Sequence, residues 1–348
     1  MTDMKACILS ISGETLTDDE IAFLKDANPW GLILMGRSIK TKTQVKALTQ
    51  DIWATLGRGC LIFTDQEGGR VRRMRPPEWP EFPAAFTFLS LYRQSEELGL
   101  EAAWLSHRLM AHEMREIGIY ADCAPDLDLR IPGAHEVVGD RAFGETPEQV
   151  IALARAALNG LHDGGVAGVI KHMPGHGRAM VDTHKALPIV EASEDELATD
   201  FAAFVGLKDA EMGMTAHIAY TAYDADNAGT ISSTIIGKII RDKIGFDGLL
   251  MTDDLGMDAL GGSLGSRASM AIEAGCDIAL HCAGFKPDAE TILKEMIEIA
   301  DIAPTLSGKS LARAEGAEQA ATSLQPFDIE AGWERLEELL AKTRMAGV

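Results

Sequence analysis

Several features that would assign this chain to a particular class of protein are absent or scarce. The cysteines are few, odd in number and without a CxxC pair: Cys7, Cys60, Cys123, Cys276 and Cys282. This pattern argues against a disulfide framework and a zinc-finger site. The chain also lacks an apolar run of about 18 residues or more, and its first ten residues hold too short an apolar stretch for a signal peptide. We therefore expect reduced core cysteines and a cytoplasmic protein.

Basic residues are also in deficit. The chain has 32 Lys and Arg against 53 Asp and Glu, which gives a formal net charge of -21. Such a charge favours solubility and opposes binding to nucleic acid or to an anionic membrane. We expect a small-molecule ligand and a monomer. With 348 residues and 46% hydrophobic content, the chain can bury the core of one large α/β domain.

Short apolar runs alternate with longer amphipathic stretches along most of the chain. The runs cover residues 6–10, 30–35, 61–64, 119–125, 166–170, 212–216, 249–252 and 276–280. Segments with helical periodicity lie between them, at 43–56, 96–117, 147–163, 194–209 and 264–274. Eight strands connected by helices predict a single (β/α)8 TIM-like barrel.

Ionisable residues follow five consecutive apolar runs. They are Asp65, Asp126 with Asp128, Lys171 with His172, His217, and Asp253 with Asp254. The active sites of barrel enzymes are assembled at the C-terminal ends of the strands. The order of these residues therefore predicts a catalytic site at that end of the barrel.

A cluster of histidines, a lysine and an aspartate follows the fifth run. It begins with the segment KHMPGHG at 171–177 and continues with DTH at 182–184. Proline and glycine exclude a regular helix here, so we expect a loop that leaves the strand at residue 170.

Three interpretations of this cluster remain open from the residues alone. His172, His176, Asp182 and His184 could bind zinc, although no HExxH motif supports a metal site. The histidines could also serve only to satisfy loop backbone groups. In the third interpretation Asp182 orients His184 for acid/base chemistry, and Asp253 supplies a nucleophilic carboxylate.

Six motifs resemble those of bacterial β-N-acetylglucosaminidases of glycoside hydrolase family 3, and they occur in the order found in that family. They are DQEGGRV at 65–71, APDLD at 124–128, GDRAFG at 139–144, KHMPGHG at 171–177, DTH at 182–184 and TDDL at 252–255. The resemblance extends from about residue 6 to about residue 283. The chain departs from the family pattern at Asp126, where an apolar residue is usual.

The resemblance implies a role for each matching residue. Asp253 would be the nucleophile that forms a glycosyl-enzyme intermediate, and His184, oriented by Asp182, would be the general acid and then the general base. The sugar would be bound by Asp65, Arg73, Arg141, Lys171 and His172. No metal and no cofactor are expected.

The resemblance also implies a substrate. It indicates a retaining exo-β-N-acetylglucosaminidase that removes terminal β-linked GlcNAc from peptidoglycan-derived muropeptides during cell-wall recycling. Alternatives within the family are a phosphorylase, which uses phosphate in place of water, and a β-glycosidase for another sugar. An alternative of another class is a non-catalytic sugar-binding sensor.

The end of the chain differs from its first part. We assign residues 1–285 to the barrel and 286–348 to a C-terminal helical extension that packs on it. Helices are expected at 288–302 and 328–345, joined by a linker that contains glycine and serine. Strand periodicity is lacking here, so we expect no second, sandwich-type domain.

Overall fold

Eight parallel strands enclose the centre of the molecule. The computed structural model describes residues 3–133, 136–179, 187–284 and 288–345, with the backbone alone for 344 and 345. The barrel strands are β1 Lys5–Ser10, β2 Pro29–Ile33, β3 Leu61–Thr64, β6 Ala121–Asp122, β7 Ala167–Met173, β9 Met212–Thr215, β11 Leu249–Met251 and β12 Ala279–Leu280. They are neighbours in chain order, and β12 pairs with β1. A parallel bridge between Met251 and Ile278 closes the circle.

Helices surround this barrel. They are α1 Asp18–Ala27, α2 Lys42–Leu56, α3 Phe86–Gln94, α4 Glu96–Glu116, α5 Pro147–Asp163, α6 Glu194–Gly206, a π-helix Ile235–Ile244, α7 Leu264–Ala274 and α8 Ala289–Ile302. Two further helices follow, α9 Gly308–Ala320 and α10 Ile329–Met345. Threonine and serine residues cap α1, α2, α5, α6 and α7, and each accepts a backbone hydrogen bond from the first turn.

Two small sheets lie outside the barrel. One is the antiparallel hairpin of β4 Gln66–Gly68 and β5 Val71–Arg72, and the other pairs β8 Ile189–Val190 with β10 Ala219–Tyr220. The hairpin follows β3 directly and so carries residues from the C-terminal end of that strand over the barrel. Gly68 and Gly69 turn it, with φ angles of 86° and 57°. A Cβ at Gly68 would lie 2.3 Å from the Pro83 carbonyl oxygen, so the turn requires glycine.

The architecture confirms the predicted (β/α)8 barrel, and no second domain is present in the described part of the chain. Every predicted apolar run overlaps a barrel strand, because strands buried on both faces are largely apolar. The five cysteines are free and buried, as expected. No described helix is long and apolar enough to cross a membrane.

Two predictions about local structure are wrong. The fifth strand does not end at residue 170, because β7 continues to Met173 and includes Lys171 and His172. These two residues therefore lie on a strand rather than on a loop. The polar side chains are tolerated there because carboxylates at the mouth of the barrel pair with them.

The expected linker between the last two helices also contains a helix, α9. Small side chains at a spacing of three to four residues, Ala314, Ala317 and Ala321, are buried in the inner cluster of barrel residues. This helix therefore covers the N-terminal end of the barrel. The sequence signal was the alanine spacing, which the polar residues around it obscured. The boundary at residue 285 between barrel and extension stays a prediction.

Candidate active site

A cavity of about 290 Å³ opens at the C-terminal ends of the strands. It is lined by the six predicted site residues that fall within the described ranges: Asp65, Arg73, Arg141, Lys171, His172 and Asp253. Their positions span nearly 190 residues of sequence, and the barrel brings them to one place because its parallel strands end on the same side. Glu67, His176 and Asp254 line the same cavity.

Asp65 follows β3 and holds two cations. Its Oδ2 accepts a hydrogen bond from Arg73 Nη2 at 2.8 Å, and its Oδ1 lies 3.3 Å from Lys171 Nζ. Burial acts to raise the pKa of Asp65, but Arg73 and Lys171 outweigh it and place the pKa below its ordinary value. Asp65 is therefore an ionised hydrogen-bond acceptor fixed in orientation.

Glu67 is a buried carboxylate that contacts two cations, Arg141 and Lys171. Arg141 donates to both of its carboxylate oxygens, at 2.8 Å each, and Lys171 Nζ lies 2.6 Å from Oε1. Burial opposes ionisation, but the two cations hold the pKa of Glu67 far below its usual range. This bidentate pair fixes the plane of the Arg141 guanidinium.

The sequence motif at 65–71 contains Glu67, but sequence reasoning assigned this residue no role. The available signal was its spacing from Asp65, since residues i and i+2 of an extended chain point to the same side. Here both carboxylates face Lys171.

His172 is oriented by a carboxylate that follows β6. Its Nδ1 lies 2.7 Å from Asp128 Oδ2, and the other oxygen of Asp128 accepts from the His176 backbone N–H. Burial lowers the pKa of His172 below its ordinary value, although the charges of Asp126 and Asp253 act in the opposite direction. When Nδ1–H donates to Asp128, Nε2 is left as an acceptor for a ligand hydroxyl.

Asp126 contacts both Asp128, which orients His172, and Arg141, which pairs with Glu67. Its Oδ1 accepts from the Asp128 backbone N–H at 2.9 Å, and its Oδ2 lies 3.2 Å from Arg141 Nη2. Burial and the charge of Asp128 raise the pKa of Asp126 to about 8. The departure from the family pattern at this position thus adds a buried carboxyl group next to Arg141.

One set of potential metal ligands occurs in the described ranges. Donor atoms of Asp126, Asp128 and His172 lie within 4.8 Å of one another. His172 hydrogen-bonds to Asp128, and the Arg141 cation contacts Asp126, so a metal ion would have to displace both contacts. This arrangement fits the orientation of His172 better than it fits a metal ion. In the zinc set predicted from sequence, Asp182 and His184 lie outside the described residues.

Asp253 follows β11 and lines the cavity. Its Oδ1 accepts from the Asp254 backbone N–H at 2.8 Å. Burial acts to raise the pKa of Asp253, but His217, His172 and this backbone donor more than offset it, so the pKa lies below its ordinary value. Asp253 is therefore an ionised carboxylate in a sheltered pocket, as a nucleophile requires.

Asp254 and His217 lie near Asp253 and hydrogen-bond to other parts of the protein. Asp254 Oδ1 accepts backbone hydrogen bonds from Gly256 and Cys282, both at 2.9 Å, and so ties the loops after β11 and β12 together. His217 follows the sixth apolar run, and its position there predicts that it lines the pocket; this prediction is wrong. Its ring nitrogens contact Thr230 Oγ1 and the Asp254 carbonyl oxygen, at 2.7 and 3.0 Å, and the ring is fully buried behind Asp254.

The predicted acid/base pair lies outside the described residues. Asp182 and His184 fall in the range 180–186, between Ala179 and Leu187. Their assignment stays a prediction. The described part of the site supplies the sheltered Asp253 carboxylate and, around the same cavity, oriented donors and acceptors that suit a polyhydroxylated ligand.

Comparison with known proteins agrees with this geometry. The sequence model of the glycosyl hydrolase family 3 N terminal domain matches residues 1–313. A curated β-hexosaminidase of Bordetella avium is 35% identical over 295 residues, which cover 83% of each chain. One from Methylococcus capsulatus is 37% identical over 296 residues, covering 84% of this chain and 86% of its own.

A solved structure is similar over nearly the whole chain. It is NagZ from Neisseria gonorrhoeae in complex with N-trifluoroacetyl-D-glucosamine. The two chains superpose with a TM-score of 0.84 at 31% identity, and the match covers 98% of each. That neighbour therefore binds an N-acylated glucosamine on the same fold.

Proposed function

This chain belongs to glycoside hydrolase family 3 and is a β-N-acetylhexosaminidase, and we propose that it removes terminal β-linked GlcNAc through a covalent intermediate on Asp253. The observation that carries the proposal is the ionised Asp253 carboxylate in a pocket with Asp65, Arg141, Lys171 and His172. We further propose that the substrate is a peptidoglycan-derived fragment in the cytoplasm.

The size of the pocket supports exo action on one sugar. Its volume of about 290 Å³ lies near the lower end for ligand sites, which span roughly 300–1,000 Å³. A long cleft for internal sugars would need more room. The ligand of the Neisseria gonorrhoeae neighbour, a single N-acylated glucosamine, is consistent with this size.

The proposed reaction has two steps. In the first, an Asp253 carboxylate oxygen attacks the anomeric carbon, the bond to the glycosidic oxygen breaks, and His184 gives its proton to that oxygen. In the second, His184 removes a proton from water, which attacks the anomeric carbon and releases Asp253. Two displacements return the β configuration. A neutral histidine base does not repel the nearby carboxylate, in contrast to a second carboxylate in that role.

The fixed charges account for sugar recognition in this proposal. Asp65 accepts from hydroxyl groups, and His172 Nε2 accepts from another because Asp128 holds its tautomer. Arg141 and Lys171 donate to ligand oxygens, including the acetamido carbonyl. Glu67 holds both cations, so little reorganisation is needed when the sugar binds.

The first test compares two sugars with one leaving group. We expect nitrophenyl β-N-acetylglucosaminide to exceed nitrophenyl β-glucoside in kcat/KM by about 10²-fold or more, because the glucoside leaves donors for the acetamido oxygen unpaired. The measurement is the initial rate of nitrophenol release. An equal rate, or a preference for the glucoside, would move the protein to another β-glycosidase specificity within the same family.

A second test addresses His184. We expect His184→Ala to lower kcat/KM for a GlcNAc disaccharide by roughly 10²–10⁴-fold, the usual contribution of a general acid. A dinitrophenyl leaving group departs without protonation, so the first step on that substrate should lose far less.

His162→Ala provides the matched control, since its Nε2 lies 3.2 Å from Glu211 Oε2 and it does not line the pocket. It should behave as the wild type on both substrates. Equal losses in His184→Ala for the disaccharide and the dinitrophenyl glycoside would remove the general-acid assignment.

A further inference from the structure

A second cavity lies at the opposite end of the barrel from the active site. Its volume is about 500 Å³, and it lies between the C-terminal half of α4 and the segment that leads into α10. Residue 116 ends α4 shortly before β6 begins, so this cavity faces the N-terminal ends of the strands. None of its lining residues lines the catalytic pocket.

One face of α4 presents three basic side chains to this cavity: Arg108, His112 and Arg115. Their spacing of four and then three residues places them on the same side of a helix. Glu116 is the single acidic residue of the lining, and it lies on the exposed rim. The lining thus carries two arginines against one carboxylate, in a chain with 53 acidic and 32 basic residues.

The two guanidinium groups lack carboxylate partners within the described ranges. Arg108 Nη2 donates to the Gln325 carbonyl oxygen at 2.9 Å, and Arg115 Nη1 donates to that of Gly165 at 2.8 Å. Both also lie over aromatic rings, Phe327 and Tyr120. Some other partly buried arginines pair with acids: Arg141 with Glu67, and Arg241 and Arg313 with Asp277. Arg37 and Arg267, in contrast, donate to backbone carbonyl oxygens, as Arg108 and Arg115 do.

Arg108 retains an unused donor. The residue is 3% exposed, and its Nε has no hydrogen-bond partner among the described residues. Burial lowers the pKa of Arg108, Asp163 partly offsets this, and the like charge of Arg115 lowers the pKa further. The Asp163 carboxylate accepts from Trp104 Nε1 at 2.9 Å and makes no ion pair with Arg108. A bound anion would reduce the repulsion between the two cations.

We propose that this cavity binds the phosphoryl group of a small metabolite between Arg108 and Arg115, with His112 as a third contact. A dianion matches the two guanidinium charges, and planar donors suit phosphate oxygens. The cavity has room for more than a bare phosphate ion, and Phe327 and Pro326 supply apolar surface for an organic portion. The site is independent of the glycosidase proposal, because it shares no residue with the catalytic pocket.

Calorimetric titration of the full chain at pH 7 and constant ionic strength tests the site. With inorganic phosphate and with glucose 6-phosphate we expect one saturable site per chain, half-filled below about 10 mM. Tighter binding of glucose 6-phosphate would identify an organic phosphate as the ligand, and equal affinity would identify inorganic phosphate. Saturating GlcNAc should leave the titration unchanged, which separates this site from the catalytic pocket.

Variants localise the binding. Arg115→Met should weaken phosphate at least about tenfold, since a hydrogen bond to a charged group is lost. His112→Ala should weaken it about threefold and is partly exposed, so its fold is expected to be intact. Arg155→Met, a partly exposed arginine paired with Asp209, is the control and should bind as the wild type. No saturable binding, displacement by GlcNAc, or unchanged affinity in both variants would overturn the proposal.

Discussion

Asp253→Asn is expected to lower kcat by about 10⁴-fold or more on every β-N-acetylglucosaminide, whatever the leaving group. Loss of a nucleophile costs on the order of 10⁴–10⁶ in kcat when no covalent intermediate can form. Asparagine has nearly the same shape, and its amide oxygen can keep the hydrogen bond from the Asp254 backbone N–H. The loss would therefore report on chemistry and not on folding. The measurement is kcat on aryl and disaccharide substrates together with the unfolding midpoint.

Asp254→Asn is the matched control for this variant. The two aspartates are adjacent, but Asp254 Oδ1 is engaged by backbone donors from Gly256 and Cys282. Its substitution should weaken two charge-assisted hydrogen bonds and lower stability, with a much smaller loss in kcat than Asp253→Asn. Equal losses in the two variants would point to a shared structural effect.

Covalent trapping tests the assignment of Asp253 as the nucleophile independently of kcat. A fluorinated glycoside with a good leaving group should add one glycosyl mass to the wild type, on the peptide that contains Asp253. The same reagent should leave Asp253→Asn unlabelled. Absence of both labelling and turnover in the wild type would favour a sugar-binding sensor, while turnover without labelling would remove the covalent mechanism and retain a hydrolase.

The barrel could be predicted because its strands are short and buried on both faces. Runs such as Leu61–Thr64 carry no competing polar signal, and their length distinguishes them from helices. The helix α9 could not be predicted in this way, since it buries alanines rather than large side chains. Its contacts depend on the open end of the barrel, which exists only after the strands have assembled.

In the active site, as in the fold, features set by local sequence could be predicted, and contacts between distant residues could not. The positions of Asp65, Lys171 and Asp253 after apolar runs are enough to predict that they share one edge of the barrel. The partner of a buried charge is less visible, because the contact between Glu67 and Lys171 joins residues that are 104 positions apart, counted as 171 minus 67. His217 has the right position after a strand, but its two ring nitrogens are already bonded. Position after a strand therefore predicts which end of the barrel a residue occupies and does not predict which way its side chain points.

Lys171→Met is expected to destabilise the protein by about 3–5 kcal/mol at pH 7, the usual cost of removing one partner from a buried ion pair. Lys171 is 2% exposed and lies 3.3 Å from Asp65 Oδ1 and 2.6 Å from Glu67 Oε1. Methionine fills a similar volume, so the change removes charge with little loss of packing. Arg73 and Arg141 remain to hold the two carboxylates, which places the expected loss toward the lower end of this range. Urea unfolding at pH 7 gives the difference in free energy.

The stability lost in Lys171→Met should depend on pH in a direction that follows from the pKa shifts of the three groups. In the wild type the pKa values of Asp65 and Glu67 are lowered below their unfolded values, because their cations outweigh the effect of burial. Their contribution to stability is therefore present above the unfolded pKa values of about 4 and is lost as the pH falls through the folded ones. The pKa of Lys171 is raised, since its two carboxylates outweigh burial, so its contribution persists below about pH 10. The difference between wild type and Lys171→Met should accordingly be full near pH 7 and shrink as the pH falls below about 4.

Arg155→Met is the control for Lys171→Met, because it removes an ion pair at the surface instead of a buried one. Arg155 contacts Asp209 at the surface, where the loss of an ion pair costs about 0–1 kcal/mol. A comparable small loss for Lys171→Met would mean that the carboxylates of the pocket do not depend on this lysine, and the fixed charge arrangement proposed for sugar binding would have to be abandoned. A large, pH-dependent loss together with a raised KM for the GlcNAc substrate would tie the stability of the barrel mouth to its ability to hold the sugar, because the same buried lysine serves both.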